Sequence, residues 1–226
     1  MFRQISKSLE DSIVRMDLVE CDYLGRKIRV IRDDKYISRC ALGGYIWDNW
    51  MIGTVAAAAS RTPGGIFIDI GANIGLNSIM FSKFGEVHAF EPVFHDILTD
   101  NVKGLLVRVY PFALSNTNES REIFIADSED GSCNYGATSF HISGERSRTV
   151  DTQRLDDIIH DTVAFMKIDV EHHEYDVLEG ARETIDKYQP VMCIESFDRS
   201  RLEEYAKSIG YTQFFEFPES NYVLMH

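Results

Sequence analysis

The most constraining feature of the sequence is a buried strand that runs directly into a glycine turn. Residues 67–77 read Phe-Ile-Asp-Ile-Gly-Ala-Asn-Ile-Gly-Leu-Asn, so an apolar run carries one acid, Asp69, and is followed by Gly71 and Gly75. A parallel strand covered on both faces has this continuous apolar character. Because a glycine turn lets the backbone approach a ligand closely, the segment predicts a binding site for an adenosine-containing cofactor.

A second acid lies where such a cofactor would need it. Glu91 ends the next predicted strand, twenty residues after Gly71, and Pro92 follows it directly. An acid at this position can accept hydrogen bonds from both ribose hydroxyls. Proline stops the strand, which leaves the Glu91 carboxylate facing the crevice at the sheet edge.

The glycine spacing discriminates between cofactors. A nicotinamide fingerprint is G-x-G-x-x-G, whereas the residues here are Asp69, Gly71, Asn73 and Gly75 at alternate positions. An acid before the first glycine would repel a pyrophosphate but can hold the ammonium group of a methionine moiety. The turn therefore favours S-adenosyl-L-methionine. An NAD-dependent oxidoreductase of Rossmann type and a catalytically inactive cofactor-binding domain remain as alternatives.

Strand and helix patterns alternate through most of the chain, which predicts an α/β fold with a Rossmann-like, mostly parallel sheet covered on both faces. The final two predicted strands, 211–217 and 222–225, are joined by a turn too short for a crossover helix, so they predict an antiparallel hairpin. The predicted strands are 66–70, 86–91, 108–113, 121–126, 163–169 and 191–196, and the predicted helices are 74–84, 94–105, 175–188 and 200–209.

The chain is predicted to consist of an N-terminal extension and one domain. Residues 1–60 form the extension, packed on the cofactor side, with a short strand at 27–32 and a helix at 48–60 that Asp48 would cap. Residues 61–226 form the domain. Within it, residues 127–148 are polar and rich in glycine and serine, which predicts a lid.

Composition narrows the range of partners. The chain has 226 residues, 23 Lys and Arg against 36 Asp and Glu, and a formal net charge of -13. This charge repels phosphate backbones and anionic lipids, so we expect neither a nucleic-acid nor a membrane partner. The four cysteines form no C-x-x-C pair, and the N-terminal sequence has no apolar signal region. We therefore expect a cytoplasmic location.

Several segments together resemble a known family, the FkbM-type class I methyltransferases, over about residues 45–225. The matching segments, in order, are Phe67 to Gly75, Phe90-Glu-Pro92, Ala113-Leu-Ser115, Lys167-Ile-Asp-Val-Glu171, His173-Glu174, Leu178-Glu-Gly-Ala181 and Ile194-Glu-Ser196. The resemblance implies a seven-stranded sheet ending in the antiparallel hairpin. It also implies transfer of a methyl group to a hydroxyl, often on a sugar or a polyketide.

The resemblance and the glycine turn together give a predicted cofactor-binding set. Its members are Asp69, Gly71, Ala72, Asn73, Gly75, Asn77, Glu91, Pro92 and Ala113. One departure from the family concerns the reaction centre. Where the family usually has Glu-Gly-His-Glu, this chain has Glu171-His172-His173-Glu174, so an additional imidazole enters the turn.

The predicted catalytic residues follow the strand at 163–169. This strand and the strand at 66–70 should be neighbours, so that Asp69 and Asp169 face one cleft. A sugar hydroxyl needs a base to become a nucleophile, and His173 is the predicted base, oriented by Asp169 or Glu195. His172 is a second candidate. The competing interpretation is that these histidines only cap backbone groups of the turn.

A metal mechanism remains the main alternative. Asp169 and Glu195 end neighbouring strands and could converge on a divalent Mg²⁺ or Mn²⁺ that polarises the acceptor oxygen. Lys167 points to the same side as Asp169 and is interpreted as its salt-bridge partner.

The acceptor is predicted to be a small molecule or an oligosaccharide, for example a glycan with a deoxyhexose. Carbohydrate sites combine aromatic faces with polar groups. The candidates are Tyr45, Trp47, Trp50, Tyr135, Phe140 and His141. The sequence does not predict the oligomeric state.

Overall fold

The computed structural model describes residues 16–125, 134–142 and 146–226. Twelve strands and seven α-helices are found in these ranges. The strands are β1 (Leu18–Tyr23), β2 (Arg26–Ile31), β3 (Ile66–Ile70), β4 (Val87–Phe90), β5 (Val107–Tyr110), β6 (Ala113–Leu114), β7 (Glu119–Phe124), β8 (Ser147–Gln153), β9 (Val163–Ile168), β10 (Val191–Glu195), β11 (Gln213–Phe217) and β12 (Asn221–Met225). The helices are α1 (Ile37–Leu42), α2 (Ile52–Arg61), α3 (Leu76–Phe81), α4 (His95–Asn101), α5 (Glu174–Gly180), α6 (Arg182–Tyr188) and α7 (Arg199–Ser208).

A seven-stranded sheet forms the centre of the molecule, in the order β11-β12-β10-β9-β3-β4-β5. Strands β10, β9, β3, β4 and β5 run parallel, and β12 is antiparallel to both of its neighbours. The predicted fold class is therefore confirmed. Strands β3 and β9 are buried at every position, as their mostly apolar sequences predict, and the burial includes Asp69 and Lys167.

The two central strands lie side by side, with Asp69 paired to Lys167 and Ile70 paired to Ile168. Their carboxyl ends therefore open at the same edge of the sheet. Helices are connected to these strands on both faces, and the buried side chains form separate apolar clusters above and below the sheet. This arrangement positions the turns that follow β3, β4, β9 and β10.

The N-terminal region includes a strand that the sequence did not predict. Strand β1 pairs with β2 in an antiparallel hairpin, and this hairpin packs on α4. The Asn101 side chain accepts a hydrogen bond from the Arg29 backbone N–H at 2.7 Å and donates to the Arg29 carbonyl at 2.8 Å. The division into an extension and a domain remains a prediction.

A second sheet, in the order β6-β8-β7, accompanies the main sheet. The sheet was not predicted, although the strand predicted at 121–126 overlaps β7. The segment 108–113, predicted as one strand, is split. Its first part belongs to β5, and after residues 111 and 112 the chain leaves the main sheet to pair as β6 with β8. The predicted lid at 127–148 ends in β8, while residues 126–133 and 143–145 lie outside the described residues.

Two helix predictions need correction. The single helix predicted at 175–188 is two helices, α5 and α6, that meet at Ala181. The predicted helix at 48–60 begins with a 3-10 turn at Asn49–Met51, and Asp48 makes no side-chain cap there. Asp48 has a φ of 51° instead, and its carboxylate accepts hydrogen bonds from the side chains of Trp50 and Asn77.

Among the described residues, we find no helix whose length and apolar character would let it cross a membrane.

Candidate functional site

The turn after β3 passes very close to the end of β9. Gly71 has a φ of +80°, and a Cβ atom added there would lie 1.8 Å from the carbonyl oxygen of Asp169. The Asp169 N–H donates to the Ile70 carbonyl at 3.1 Å, which holds the two strand ends together. Only glycine allows both the backbone angle and this approach. The first predicted glycine is thus required by the packing of the two strand ends.

Asp69 is fully buried below this turn. Its Oδ2 accepts a hydrogen bond from the Ser78 hydroxyl of α3 at 2.5 Å, and its Oδ1 has no hydrogen-bond partner among the described residues. Burial raises the pKa of Asp69 to about 6, although the Lys167 ammonium opposes this rise. The carboxylate therefore ties the strand to the helix that follows it.

Glu91 is fixed by the backbone of two turns. One carboxylate oxygen accepts from the N–H groups of Val93 and Phe94 at 2.7 and 3.0 Å, and the other accepts from the Asn73 N–H at 2.9 Å. Burial raises the pKa of Glu91, and these three bonds act in the opposite direction. A carboxylate offers about four acceptor positions, so about one remains for a ligand.

A narrow cavity of about 60 Å³, here called the inner cavity, lies over the ends of β3 and β4. Residues 134–142, here called the roof segment, cover it: the Tyr135 ring packs on Phe94, and Phe140 packs on His173. Five members of the predicted cofactor set line it. They are Gly71, Asn73, Glu91, Pro92 and Ala113.

Other members of the predicted cofactor set have structural contacts instead. Ala72 belongs to an apolar cluster with the N-terminal hairpin. Gly75 has a φ of +92°, and an added Cβ atom would lie 2.4 Å from Leu98 Cδ1. The Asn77 side chain donates a hydrogen bond to the Asp48 carboxylate at 2.9 Å. Their predicted roles in cofactor binding remain predictions.

A larger cavity of about 760 Å³, here called the outer cavity, opens beside the first. The two cavities share Gly71, Asn73, Gly136 and Asp169. Four of its lining acids, Asp48, Asp169, Glu171 and Glu195, are here called its acidic floor, and its other lining residues include Lys35, Tyr36, Arg39, Tyr45 and Trp47. The junction at Gly71 and Asp169 is therefore where molecules in the two cavities would meet.

The acids of the floor are placed in different electrostatic environments. Burial raises the pKa of Asp169, but the Lys167 ammonium, 2.6 Å from Asp169 Oδ2, and a hydrogen bond with Glu195 together outweigh it, so the net pKa is lowered. Burial and repulsion from Asp169 raise the pKa of Glu195, and the two carboxyls share a hydrogen bond. At neutral pH this pair holds one proton, which we assign to Glu195.

Glu171 is a site residue that the sequence analysis missed. It is half-buried in the outer cavity, and burial followed by repulsion from Asp169 and Glu174 raises its pKa to about 7. Its backbone has a φ of +47°, and its carbonyl accepts a hydrogen bond from the Ser139 hydroxyl of the roof segment at 2.6 Å. The available signal was its position two residues after Asp169, at the end of a central strand.

The two histidines lie away from the outer cavity's floor. His173 is buried and lines the inner cavity, and burial is the main reason that its pKa is well below the ordinary value. His172 is exposed, has a φ of +73° and packs on the Phe197 ring, with 4.7 Å between ring centroids. The structure brings neither imidazole to the shared junction, so their catalytic roles remain predictions.

The predicted magnesium or manganese site is not supported. Asp169 is already neutralised by Lys167, and Asp169 and Glu195 belong to no group of three closely spaced ligands in the described part of the chain. Of the predicted acceptor aromatics, Tyr45 and Trp47 line the outer cavity, whereas Trp50 stacks on Phe217 at 4.5 Å.

Comparison with known proteins points to methyltransferases. The family model described as "Methyltransferase FkbM domain" matches residues 69–217. No curated protein matches the sequence. The methyltransferase FkbM from Methylobacillus flagellatus KT has a similar structure, with a TM-score of 0.52 and 20% identity, covering 72% of this chain and 44% of that chain. The chain thus spans less than half of that protein.

A second solved structure, the precorrin-6y C5,15-methyltransferase from Geobacter metallireducens GS-15, gives a TM-score of 0.45 at 15% identity, covering 79% of this chain and 88% of that chain. An rRNA methylase from Streptococcus thermophilus gives a TM-score of 0.46 at 9% identity, covering 76% of this chain and 92% of that chain.

Proposed function

Because the chain belongs to the FkbM methyltransferase domain family, we propose that it transfers a methyl group from S-adenosyl-L-methionine to a hydroxyl group, on a sugar of a glycan or glycosylated metabolite. The observation that carries this proposal is the junction at Gly71 and Asp169, where the inner and outer cavities meet. A methyl donor held in the one and an acceptor held in the other would have their reacting groups at that junction. The family assignment favours this function over a nicotinamide oxidoreductase.

The residues of the inner cavity fit an adenosyl cofactor. Glu91 is held by three backbone N–H groups and retains an acceptor position for a ribose hydroxyl. Phe90, Pro92 and Leu114 add apolar walls for a flat base. The cofactor supplies a methyl group bonded to a sulfonium. Small-molecule sites usually have a volume of several hundred Å³, whereas the inner cavity has about 60 Å³. The roof segment would therefore move outward when the cofactor binds.

Glu171 is the residue we assign as general base. Oxygen methylation requires that the acceptor hydroxyl lose its proton, and a base is most effective when its pKa is near the working pH. The pKa of Glu171, about 7, meets this condition, and its carboxylate lines the outer cavity. His173 meets it less well because its pKa is lowered and its ring is buried.

The outer cavity supports a polar acceptor of sugar size. Its volume of about 760 Å³ is within the range of small-molecule sites, and its lining combines Tyr45 and Trp47 with carboxylates. Aromatic rings together with hydrogen-bonding acids suit a carbohydrate. The net charge of -13 supports a small or neutral acceptor over a nucleic acid.

The test has a binding arm and a transfer arm. Titration calorimetry with S-adenosylhomocysteine should give saturable binding that Glu91→Ala weakens by at least about tenfold, corresponding to the loss of a charge-assisted hydrogen bond. NAD serves as the control ligand. Transfer of a labelled methyl group to free sugars and glycans then tests the acceptor class. Binding without transfer to any hydroxyl acceptor would support the inactive domain, and binding of NAD alone would refute the proposal.

A further inference from the structure

Beside the inner cavity, two histidines and an aspartate direct their ligand atoms toward one another. His173 Nδ1 lies 3.2 Å from His141 Nε2 and 3.2 Å from Asp176 Oδ2. All three ligand atoms lie within 4.8 Å of one another. No other such group of three occurs within residues 16–125, 134–142 and 146–226. The sequence analysis placed His173 at the reaction centre and His141 among acceptor residues, and it gave Asp176 no role.

We propose that His141, His173 and Asp176 form a binding site for a divalent transition-metal ion of the zinc type. Zinc binds histidine nitrogen and carboxylate oxygen at about 2.0–2.2 Å, so two of its ligands at a tetrahedral angle are about 3.3–3.5 Å apart. The two separations of 3.2 Å are close to this value. Two imidazoles and one carboxylate are also a ligand set that zinc uses, with a fourth position left for water.

Hydrogen bonding around His173 leaves the correct nitrogen free for a metal. The buried Ser115 hydroxyl lies 3.3 Å from Asn116 Oδ1 and 3.1 Å from His173 Nε2. When this hydroxyl donates to Asn116, its oxygen accepts from His173 Nε2–H, and in that tautomer Nδ1 carries a lone pair. A bare Nδ1 at 3.2 Å from the Asp176 carboxylate places two acceptors against each other, and a cation between them removes the repulsion.

The surroundings support the geometry and limit the affinity. The Phe140 ring packs edge-on against the His173 ring, with 4.9 Å between centroids, which restrains the imidazole. His141 is exposed and the Asp176 side chain is 37% exposed, so an ion can enter from solvent. The Arg121 guanidinium lies 4.7 Å from the centre of the Phe140 ring, and its positive charge opposes a bound cation. We therefore expect micromolar rather than much tighter binding.

The position of the cluster gives the ion a mechanical role. His141 belongs to the roof segment, whereas His173 and Asp176 belong to the start of α5 and the turn before it. An ion bound to all three would join the roof segment to α5 beside the inner cavity. The site goes beyond methyl transfer and does not depend on it.

The test is a metal titration of the whole chain after treatment with a chelator, without cofactor. Calorimetry with Zn²⁺ should show one equivalent bound, and Co²⁺ should give the visible absorption of a four-coordinate ion. His141→Ala and Asp176→Asn should each weaken Zn²⁺ binding by at least tenfold. The matched control is His95→Ala, because His95 Nδ1 also lies 3.4 Å from an aspartate, Asp96, but belongs to no group of three ligands in the described chain.

Two outcomes would overturn the proposal. One is a wild-type protein that shows no saturable Zn²⁺ binding. The other is Zn²⁺ binding that both folded variants retain at full strength, or that His95→Ala removes instead. Circular dichroism of each variant confirms that it is folded, and the exposed position of His141 makes its replacement tolerable. Hydrogen exchange of residues 139–141 provides a second readout, since Zn²⁺ should slow it in the wild type and not in Asp176→Asn.

Discussion

Glu171→Gln should remove methyl transfer while making the folded protein more stable at alkaline pH. The substitution keeps the shape of the side chain and removes its charge. General-base catalysis contributes about 10²–10⁴-fold to a rate, so we expect a loss of that size in kcat. In the wild type, the rate should rise with pH and level off above about 7, because the ionised form of Glu171 is the active one.

The effect on stability follows from the same pKa. Burial and repulsion from Asp169 and Glu174 raise the folded-state pKa of Glu171 to about 7, above the ordinary value of 4.5. Ionising the Glu171 carboxyl therefore costs more free energy in the folded than in the unfolded state. As a result, the free energy of unfolding of the wild type decreases as the pH rises from the ordinary pKa of Glu171 to its folded-state pKa. Each pKa unit corresponds to about 1.4 kcal/mol, and after discounting for solvent at this half-buried group we expect Glu171→Gln to gain about 1–2 kcal/mol at pH 8.

Guanidinium unfolding at pH 5 and pH 8, followed by circular dichroism, measures this gain. The variant should gain clearly more stability over the wild type at pH 8 than at pH 5, where most of the Glu171 carboxyl is protonated in the folded state. Glu183→Gln, on the exposed surface of α6, is the control for the loss of one negative charge. An equal gain at both pH values, or a wild-type rate that is constant from pH 6 to pH 8, would refute the assignment of Glu171.

Two further substitutions test the turns that form the site. Gly71→Ala should lower the free energy of unfolding by about 2–4 kcal/mol, because the added Cβ meets the Asp169 carbonyl at 1.8 Å. The control is Gly64→Ala, which has the same φ of +80° but open space around it and should lower the free energy of unfolding by only about 1 kcal/mol. Equal losses in the two variants would contradict the close approach. His172→Gly should stabilise the protein by about 0.5–1 kcal/mol, since residue 172 has a φ of +73°; destabilisation would mean that the contact with Phe197 outweighs the strain.

The main sheet was predictable because its strands are buried on both faces. Strands such as β3 and β9 have short, mostly apolar sequences, which are typical of strands buried on both faces. The short turn before β12 requires an antiparallel pairing with β11. Strands β1 and β8 lack this signal. Exposed residues interrupt the buried and partly buried ones in both strands, so neither has a continuous apolar run. Near the break between α5 and α6, a Cβ at Gly180 would lie 1.9 Å from the Ser115 carbonyl oxygen, and this tertiary contact leaves no local sequence pattern.

The site was predictable in its location but not in its division of roles. Sequence spacing indicates that residues after β9 reach the crevice, but it does not indicate depth. His173 and Glu171 are two positions apart, yet the structure buries His173 and leaves Glu171 half-buried in the outer cavity. The contact between His141 and His173 also depends on the fold, because the two histidines are 32 positions apart in the sequence. Such contacts across long sequence distances carry no local pattern.

The acids around Lys167 have different protonation states although they lie at the same edge of the sheet. They are Asp169, Glu195 and Glu171. The Lys167 ammonium and the hydrogen bond with Glu195 keep Asp169 ionised, whereas burial and the ionised Asp169 keep the proton on Glu195. Asp169 is then too weak a base, and Glu195 is already protonated at neutral pH. Burial and repulsion from Asp169 and Glu174 raise the pKa of Glu171, and the opposing effect of Lys167 is smaller, so this pKa falls between these extremes, at about 7. Environments that separate the pKa values of neighbouring carboxyls commonly define which one exchanges a proton with the substrate. By that criterion the proton of the acceptor hydroxyl passes to Glu171.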